Sequence, residues 1–298
     1  MTHPVQLALN FDSASASALK ASAAIPITSN TAAPPSETSL IGAFLLRPPL
    51  SRDGQLLPIP YQLKVSAKAR QVYLRVEPGR GLQVTIPKRY SKRSIPALVE
   101  SQREWITEAL VDLDEKTPPI YKQWPPPQLR LSACETLVDV RYTHEPANSL
   151  TPSASNATVK WESPKRLHLK VDVENKPLVA KCIAGALKPR AKAVLAPWLA
   201  RCAVQSQLSY KRVMIRGQRT VWGSYSSSGT LSLNYKLLFL NPALVDYVLF
   251  HELAHIKHLD HSSAFWRFLD ELKPNALEYD RQLKEAGSQV PPWLELVG

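Results

Sequence analysis

Cysteine, methionine and long apolar runs are scarce in this sequence of 298 residues. Its three cysteines (Cys134, Cys182 and Cys202) are odd in number, widely spaced and without a CxxC pair. This usage disfavours a disulfide framework and a zinc ribbon, and it favours a reducing compartment. No run approaches the roughly 18 apolar residues that a membrane span needs, and no secretion signal is recognisable. We therefore expect a soluble cytoplasmic protein with no membrane partner.

Acidic residues are too few to balance the basic ones, and the formal net charge is +12. Residues 177–220 contain nine Lys or Arg and no Asp or Glu, whereas residues 221–298 contain six basic and nine acidic residues. A basic block beside an acidic segment is compatible with DNA as a partner. A solvated helix face would give the same pattern, because charge alone does not specify a partner.

The hydrophobic pattern predicts an α+β protein in three parts. Residues 1–45 are rich in Ser, Ala, Thr and Pro and are predicted to be a disordered tail. Residues 46–176 are predicted to form a β-rich subdomain with one helix over about 94–116. In residues 177–298, a helical region over about 178–209 should break or kink at Pro189 and Pro197. The elements predicted after it are a strand at 212–215, a loop at 223–229, a strand at 230–234 and helices at 242–257, 263–272 and 275–286.

The helix predicted over 242–257 contains the sequence His251-Glu252-Leu253-Ala254-His255. Two histidines four residues apart lie on one helix face, so both rings can bind one metal ion. Glu252 would face the open side of that ion, where it can take a proton from water as the catalytic general base. The alternative is a surface helix with incidental histidines, since HExxH alone is only moderately specific.

A third ligand is expected shortly after the helix. His261 follows His255 by six residues, the spacing of the third ligand in metzincins, HExxHxxGxxH. The chain is not a metzincin, because His258 replaces the glycine and no methionine follows the motif. Three neutral histidines would leave one Zn²⁺ with an open position for water. Alternatives for the third ligand are His258, Asp260 and Glu278.

Hydrolysis through such a site also needs a hydrogen-bond donor for the developing oxyanion. The sequence offers four candidates for this or another substrate contact and does not rank them: Tyr225, Tyr235, His258 and Tyr279.

The YgjP-like metallopeptidases, which are related to WLM and SprT proteins, closely resemble this chain in the segment VWGSYSSSGTLSLNYKLLFLNPALVDYVLFHELAHIKHLDHSSAFW. The resemblance continues upstream in KARQVYLRVEPGRGLQVTIPKRYSKRSIPALVESQREWI and spans about residues 62–286. It implies a zincin-like, minimal gluzincin-type catalytic domain at 177–298, with zinc at His251, His255 and His261 and with Glu252 catalytic. Two positions depart from the family pattern, since Val221 replaces an Arg and Tyr225 replaces a Cys.

The resemblance also places the strand TLSLN (residues 230–234) near the cleft. An edge strand there could pair with an extended protein or peptide substrate through backbone hydrogen bonds. We therefore expect this strand to have one free edge.

The tail contains Gln6-Leu7-Ala8-Leu9-Asn10-Phe11, which matches the QLxLxF motif that binds the bacterial DNA-polymerase sliding clamp. Gln6 would form a hydrogen bond, while Leu7, Leu9 and Phe11 supply the apolar contacts. Together with the SprT resemblance, this motif suggests proteolysis of proteins associated with or crosslinked to DNA. The alternative is a stray apolar patch or a strand of the folded domain.

Three functions are compatible with these features. The first is a zinc endopeptidase, with or without DNA association. The second is a DNA- or clamp-associated zinc adaptor without proteolytic activity, which the intact Glu252 disfavours. The third is a zinc hydrolase of a non-peptide amide, which the same ligands would serve equally well.

Overall fold

The computed structural model describes residues 5–9, 58–77, 79–144, 157–219 and 221–297. These residues form helices together with sheets of mixed strand direction, so the α+β prediction is confirmed. They fall into two compact units, one ending at Lys116 and the other beginning at Thr117.

The first unit is a four-stranded sheet followed by two helices. Its spatial order is β1-β3-β4-β2, with β1 (Val5–Leu9), β2 (Tyr61–Ser66), β3 (Val72–Glu77) and β4 (Gly81–Pro87). Alternate residues of β3 are buried, which is the pattern of a strand with one face on a core. The single helix predicted over about 94–116 is two helices, α1 (Ile95–Ser101) and α2 (Arg103–Lys116). They separate because Gln102 leaves the helical conformation, with φ −109° and ψ 15°.

Residues 5–9 differ from the disordered tail that composition predicts. They form β1, which pairs antiparallel with β3 so that Leu7 lies opposite Leu74. The sequence VQLAL has a large apolar residue at every second position, which is the period of a strand. The predicted clamp motif thus lies partly in β1, whereas Phe11 and the rest of residues 10–45 lie outside the described residues.

The second unit has its own core, in which a mixed sheet packs against a long helix. The sheet has the order β5-β6-β8-β7, with β5 (Gln128–Leu131), β6 (Thr136–His144), β7 (Thr158–Ser163) and β8 (Arg166–Val171). The helix is α3 (Lys176–Gln205). Leu129 and Leu167 of the sheet share one buried cluster with Ile183 and Leu187 of the helix. Because of this shared core, the division lies at 116/117 rather than at the predicted 176/177.

The long helix α3 continues without a break through Pro189 and Pro197, where the sequence predicts a break or kink. A proline removes one backbone donor and usually interrupts a helix. Here fully buried residues on both sides of each proline hold the helix against the core, namely Leu187, Ala191, Leu195 and Leu199.

A three-stranded sheet precedes the HExxH helix. Its order is β10-β11-β9, with β9 (Arg212–Arg216), β10 (Gly223–Tyr225) and β11 (Thr230–Asn234). β10 replaces part of the loop predicted over 223–229, because Gly223, Ser224 and Tyr225 pair antiparallel with β11. β11 is paired on both edges, antiparallel with β10 and parallel with β9, so the prediction that it offers a free edge is wrong.

Three helices complete the unit, and the first carries the HExxH sequence. They are α4 (Pro242–Ala254), α5 (Ser263–Leu272) and α6 (Ala276–Glu285). The Asn241 side chain caps α4 by accepting a hydrogen bond from the Leu244 amide at 2.9 Å, and Pro242 occupies the first turn. α4 ends three residues before the predicted Lys257, in a turn where the Lys257 amide bonds the Ala254 carbonyl. In the part of the chain that the structure describes, no helix is long and apolar enough to cross a membrane.

Candidate metal centre

Three histidine rings converge where α4 ends. His251, His255 and His261 each offer a ring nitrogen, and these three atoms lie within 4.8 Å of one another. The Nε2 atoms of His251 and His261 are 3.1 Å apart. The helix period places the first two rings on one face, and the turn after Ala254 returns the chain so that His261 faces them. Three imidazole nitrogens with one side left open are a ligand set that suits catalytic zinc.

The two helical histidines are held in the neutral form that a metal ligand needs. Burial lowers the pKa of His251 to about 3, and the neighbouring His255 and His261 contribute to the shift. Burial also lowers the pKa of His255. Because a neutral imidazole has a lone pair available for a cation, the charge state of these residues fits a bound metal ion.

Hydrogen bonds and ring contacts fix the histidine rings. His255 Nδ1 lies 2.9 Å from the His258 carbonyl, to which it donates when Nε2 is the free ligand atom. His251 Nδ1 lies 3.3 Å from the Tyr247 hydroxyl. The fully buried Phe265 lies behind all three rings, with centroid distances of 5.1, 4.6 and 4.8 Å to His251, His255 and His261.

Glu252 lies beside the three histidines and is only 5% exposed. Burial raises the pKa of its carboxyl to about 8. Its Oε2 has no hydrogen-bond partner among the described residues, which is an unusual state for a buried carboxylate oxygen. A nearby cation would favour the ionised carboxylate and compensate for the burial. The orphaned oxygen is therefore a second feature that fits a metal ion at the histidines.

Gly223 of β10 lies against Glu252. A Cβ atom built on this glycine would lie 2.5 Å from Oε1 and 2.7 Å from Cδ of Glu252. Any larger residue would therefore displace the carboxylate. Glycine is required here by the close approach of a backbone to a catalytic group rather than by a turn.

A cleft of about 370 Å³ opens at the histidines. One part of its lining is the segment from Val221 to Tyr225, which includes β10 and both departures from the family pattern. The remainder combines the histidines and Glu252 with apolar and acidic side chains: Val248, Leu259, Asp280 and Leu283. Leu259 is 68% exposed and Val221 39%, so the rim of the cleft has an apolar character.

Of the four predicted oxyanion or substrate contacts, the structure places Tyr225 on the cleft. Tyr235 is buried at 2% exposure in the core. The His258 ring packs on Phe268 at a centroid distance of 5.7 Å, and Tyr279 stacks on Tyr247 at 5.9 Å. The structure therefore does not bring these three rings into the lining of the cleft.

The alternative third ligands have other partners. Asp260 accepts a hydrogen bond from the Ser262 amide at 3.3 Å. Glu278 forms an ion pair with Arg281 at 2.7 Å. The backbone carbonyl of His258 is directed at His255. Among the described residues, His261 is the group that joins His251 and His255.

Residues 70–286 match the YgjP-like metallopeptidase domain. The chain belongs to this family. Membership makes it a metallopeptidase, a hydrolase that acts on protein or peptide substrates and uses a metal ion. No curated protein matches the sequence significantly.

Two solved structures share a short region with this YgjP-like metallopeptidase. The metallopeptidase zymogen abylysin of Pyrococcus abyssi is 28% identical over 30% of this chain and 90% of its own, with a TM-score of 0.28. The zymogen jannalysin of Methanocaldococcus jannaschii is 21% identical over 30% of this chain and 92% of its own, with a TM-score of 0.27. With such TM-scores, neither structure informs the arrangement of the site.

Proposed function

We propose that this YgjP-like metallopeptidase is a zinc-dependent endopeptidase with a zincin-like site. His251, His255 and His261 hold one Zn²⁺, and Glu252 is the general base. The strongest support is that three histidine ring nitrogens lie in one cleft with a buried carboxylate oxygen that lacks a partner among the described residues. When bound, the ion would act as a Lewis acid towards the scissile carbonyl and the attacking water.

Glu252 moves the protons of the reaction. Its carboxylate takes a proton from the attacking water and later donates a proton to the leaving amine. A base with a pKa near neutrality performs both steps well, because it is neither too weak to accept the proton nor too strong to release it. Burial moves the pKa of Glu252 upwards from its ordinary range, and a cation at the histidines moves it back.

The substrate backbone pairs with β10. The Trp222 carbonyl accepts from the Asn234 amide at 2.8 Å, and the Ser226 amide donates to the Thr230 carbonyl at 2.9 Å. In an antiparallel pair, residues that hydrogen-bond to the neighbouring strand alternate with residues that do not. The backbone N–H and C=O groups of Gly223 and Tyr225 therefore point away from β11. An extended peptide can bond to them beside Glu252, which gives recognition with broad side-chain tolerance.

Tyr225 is the oxyanion donor that we favour, because it is the predicted candidate that lines the cleft. Its hydroxyl would donate a hydrogen bond to the carbonyl oxygen as negative charge develops there. Removing one such donor costs about 100- to 1,000-fold in kcat in other hydrolases. Tyr225→Phe should lower kcat in this range and leave KM almost unchanged.

Doubly blocked fluorogenic peptides test the endopeptidase proposal, because they have no free terminus for an exopeptidase. The zinc-loaded protein should cleave them internally, and a chelator should abolish the cleavage. Turnover of simple acyl amides together with inert peptides would instead support a non-peptide amidase.

DNA-associated proteins are the substrate class that we propose. The helix α3 has no acidic residue and exposes four cations: Lys181, Lys188, Lys192 and Arg201. Cleavage of a basic DNA-binding protein should accelerate in the presence of single-stranded DNA, and added salt should remove the effect. Equal rates with and without DNA would refute this part of the proposal. Salt-dependent DNA binding without any turnover would favour the adaptor.

Docking on the sliding clamp through Gln6, Leu7, Leu9 and Phe11 stays a proposal of its own. The backbone of residues 5–9 pairs with β3, so clamp binding requires β1 to leave the sheet. A peptide of residues 1–15 should therefore bind purified clamp more tightly than the full chain does. Absence of peptide binding at high micromolar concentration would contradict the motif. The cytoplasmic location that the cysteine usage favours is also a prediction.

A further inference from the structure

The metal centre is connected to α6 by a hydrogen-bonded chain that HExxH chemistry does not require. His251 Nδ1 lies 3.3 Å from the Tyr247 hydroxyl, and that hydroxyl donates to Asp280 Oδ1, also at 3.3 Å. We propose that Tyr247 and Asp280 are positioning residues, which hold the His251 ring with its Nε2 towards the ion. This inference rests on the zinc site proposed above.

The hydrogen bonds from His251 to Asp280 fit the tautomer of His251 that would bind a metal through Nε2. That atom faces His261 Nε2, so it is the ligand atom, and a neutral ring then has its proton on Nδ1. The Nδ1–H donates to the oxygen of Tyr247, whose own O–H donates to Asp280. Each donor in this series of hydrogen bonds has one acceptor. The carboxylate of Asp280 at its end makes the His251 imidazole a stronger metal ligand.

The Tyr247 ring is held in one orientation. It is fully buried and stacks on Tyr279, with an interplanar angle of 23°. Burial and the carboxylate of Asp280 both raise the pKa of Tyr247, so its hydroxyl remains a donor. The ring therefore presents a fixed oxygen to His251, which a flexible side chain or a water could not do.

The two helical ligands differ in how they are held. His255 Nδ1 is paired with the backbone carbonyl of His258, which no side-chain substitution removes. His251 depends on two side chains from different helices, Tyr247 on α4 and Asp280 on α6. Removing these side chains should therefore loosen one ligand and leave the other in place.

Asp280 also offers a matched control. Its Oδ2 forms an ion pair with Lys284 at 2.9 Å, while its Oδ1 serves Tyr247. The Lys284 side chain is 60% exposed, and such ion pairs contribute little. Lys284→Gln removes the exposed partner of the same carboxylate without touching the chain of hydrogen bonds to His251.

The test is the zinc affinity of each variant, measured by competition with a chromophoric chelator. Tyr247→Phe and Asp280→Ala should weaken zinc binding by about 10- to 100-fold, the usual cost of removing such a partner. Asp280→Asn keeps an acceptor for Tyr247 and should lie between Asp280→Ala and the wild type. Lys284→Gln should stay within about twofold, since its pair with Asp280 is exposed. The absorption bands of bound Co²⁺ should shift in the first three variants and not in the control.

Circular dichroism of the metal-free proteins checks that each variant folds, and Tyr247→Phe keeps the ring and its stacking. Wild-type zinc affinity in folded Tyr247→Phe and Asp280→Asn would overturn the inference while leaving the zinc site intact. A wild-type protein that binds neither zinc nor cobalt would refute the zinc site, and the inference with it.

Discussion

Substituting alanine for Gly223 would place a methyl group against the catalytic carboxylate. The new Cβ would lie 2.5 Å from Glu252 Oε1, whereas non-bonded heavy atoms prefer about 3.5 Å or more. Glu252 would have to move by about 1 Å, and a displacement of that size can cost about 100-fold in rate. We therefore expect Gly223→Ala to lower kcat by about 100-fold, while the overpacking costs about 1 to 3 kcal/mol of stability.

The assay is kcat on a doubly blocked peptide at saturating zinc, with zinc affinity measured in parallel. Zinc affinity should change little, because the clash is with Glu252 and not with a histidine. Gly185→Ala is the matched control, since a Cβ at this exposed position of α3 meets no atom within 4 Å. It should retain full activity and gain about 0.5 to 1 kcal/mol of stability. Unchanged kcat in Gly223→Ala would refute the close packing on which the role of Glu252 depends.

Other predictions concern pH, the helix cap and the ring behind the histidines. In the metal-free protein, burial raises the pKa of Glu252 to about 8 from an ordinary 4.5. The folded state therefore holds this proton more tightly than the unfolded state does, and the free energy of unfolding should fall as pH rises from 4.5 to about 8. In denaturant titrations, the free energy of unfolding of Glu252→Gln should rise relative to that of the wild type by up to about 1.4 kcal/mol per pH unit between pH 5 and 8. A difference between the two proteins that stays constant with pH would contradict the effect of burial on Glu252. Asn241→Ala should cost about 1 kcal/mol, measured by the same titrations, because α4 loses its cap. Phe265→Ala should weaken zinc binding and cost about 3 to 5 kcal/mol, and unchanged affinity would show that the ring does not position the histidines.

The sequence predicts those parts of the site that lie close together along the chain. The two histidines of HExxH follow from the helix period, and α4 begins at Pro242 as predicted. The grouping of His261 depends on α4 ending at Ala254, which is earlier than predicted, so that the chain can turn back. Tyr247 lies one helical turn before His251, and this spacing was a usable signal for a residue on the same face.

Features that depend on tertiary contacts could not be predicted from the sequence. No local pattern connects Asp280 on α6 with Tyr247, or Gly223 on β10 with Glu252. The serines and glycine around β10 indicate a loop, and pairing with β11 overrides that preference. The boundary at Lys116 likewise results from a core that the second sheet shares with α3, which composition does not reveal.

If Glu252 is the base of a zinc site formed by three histidines, its substitution should remove catalysis and leave the metal bound. Zinc content and the rate of peptide cleavage are therefore measured together in one preparation of Glu252→Gln. We expect one zinc per chain, as in the wild type, and a loss of nearly all cleavage. Full zinc occupancy with undiminished cleavage in Glu252→Gln would show that Glu252 is not the base.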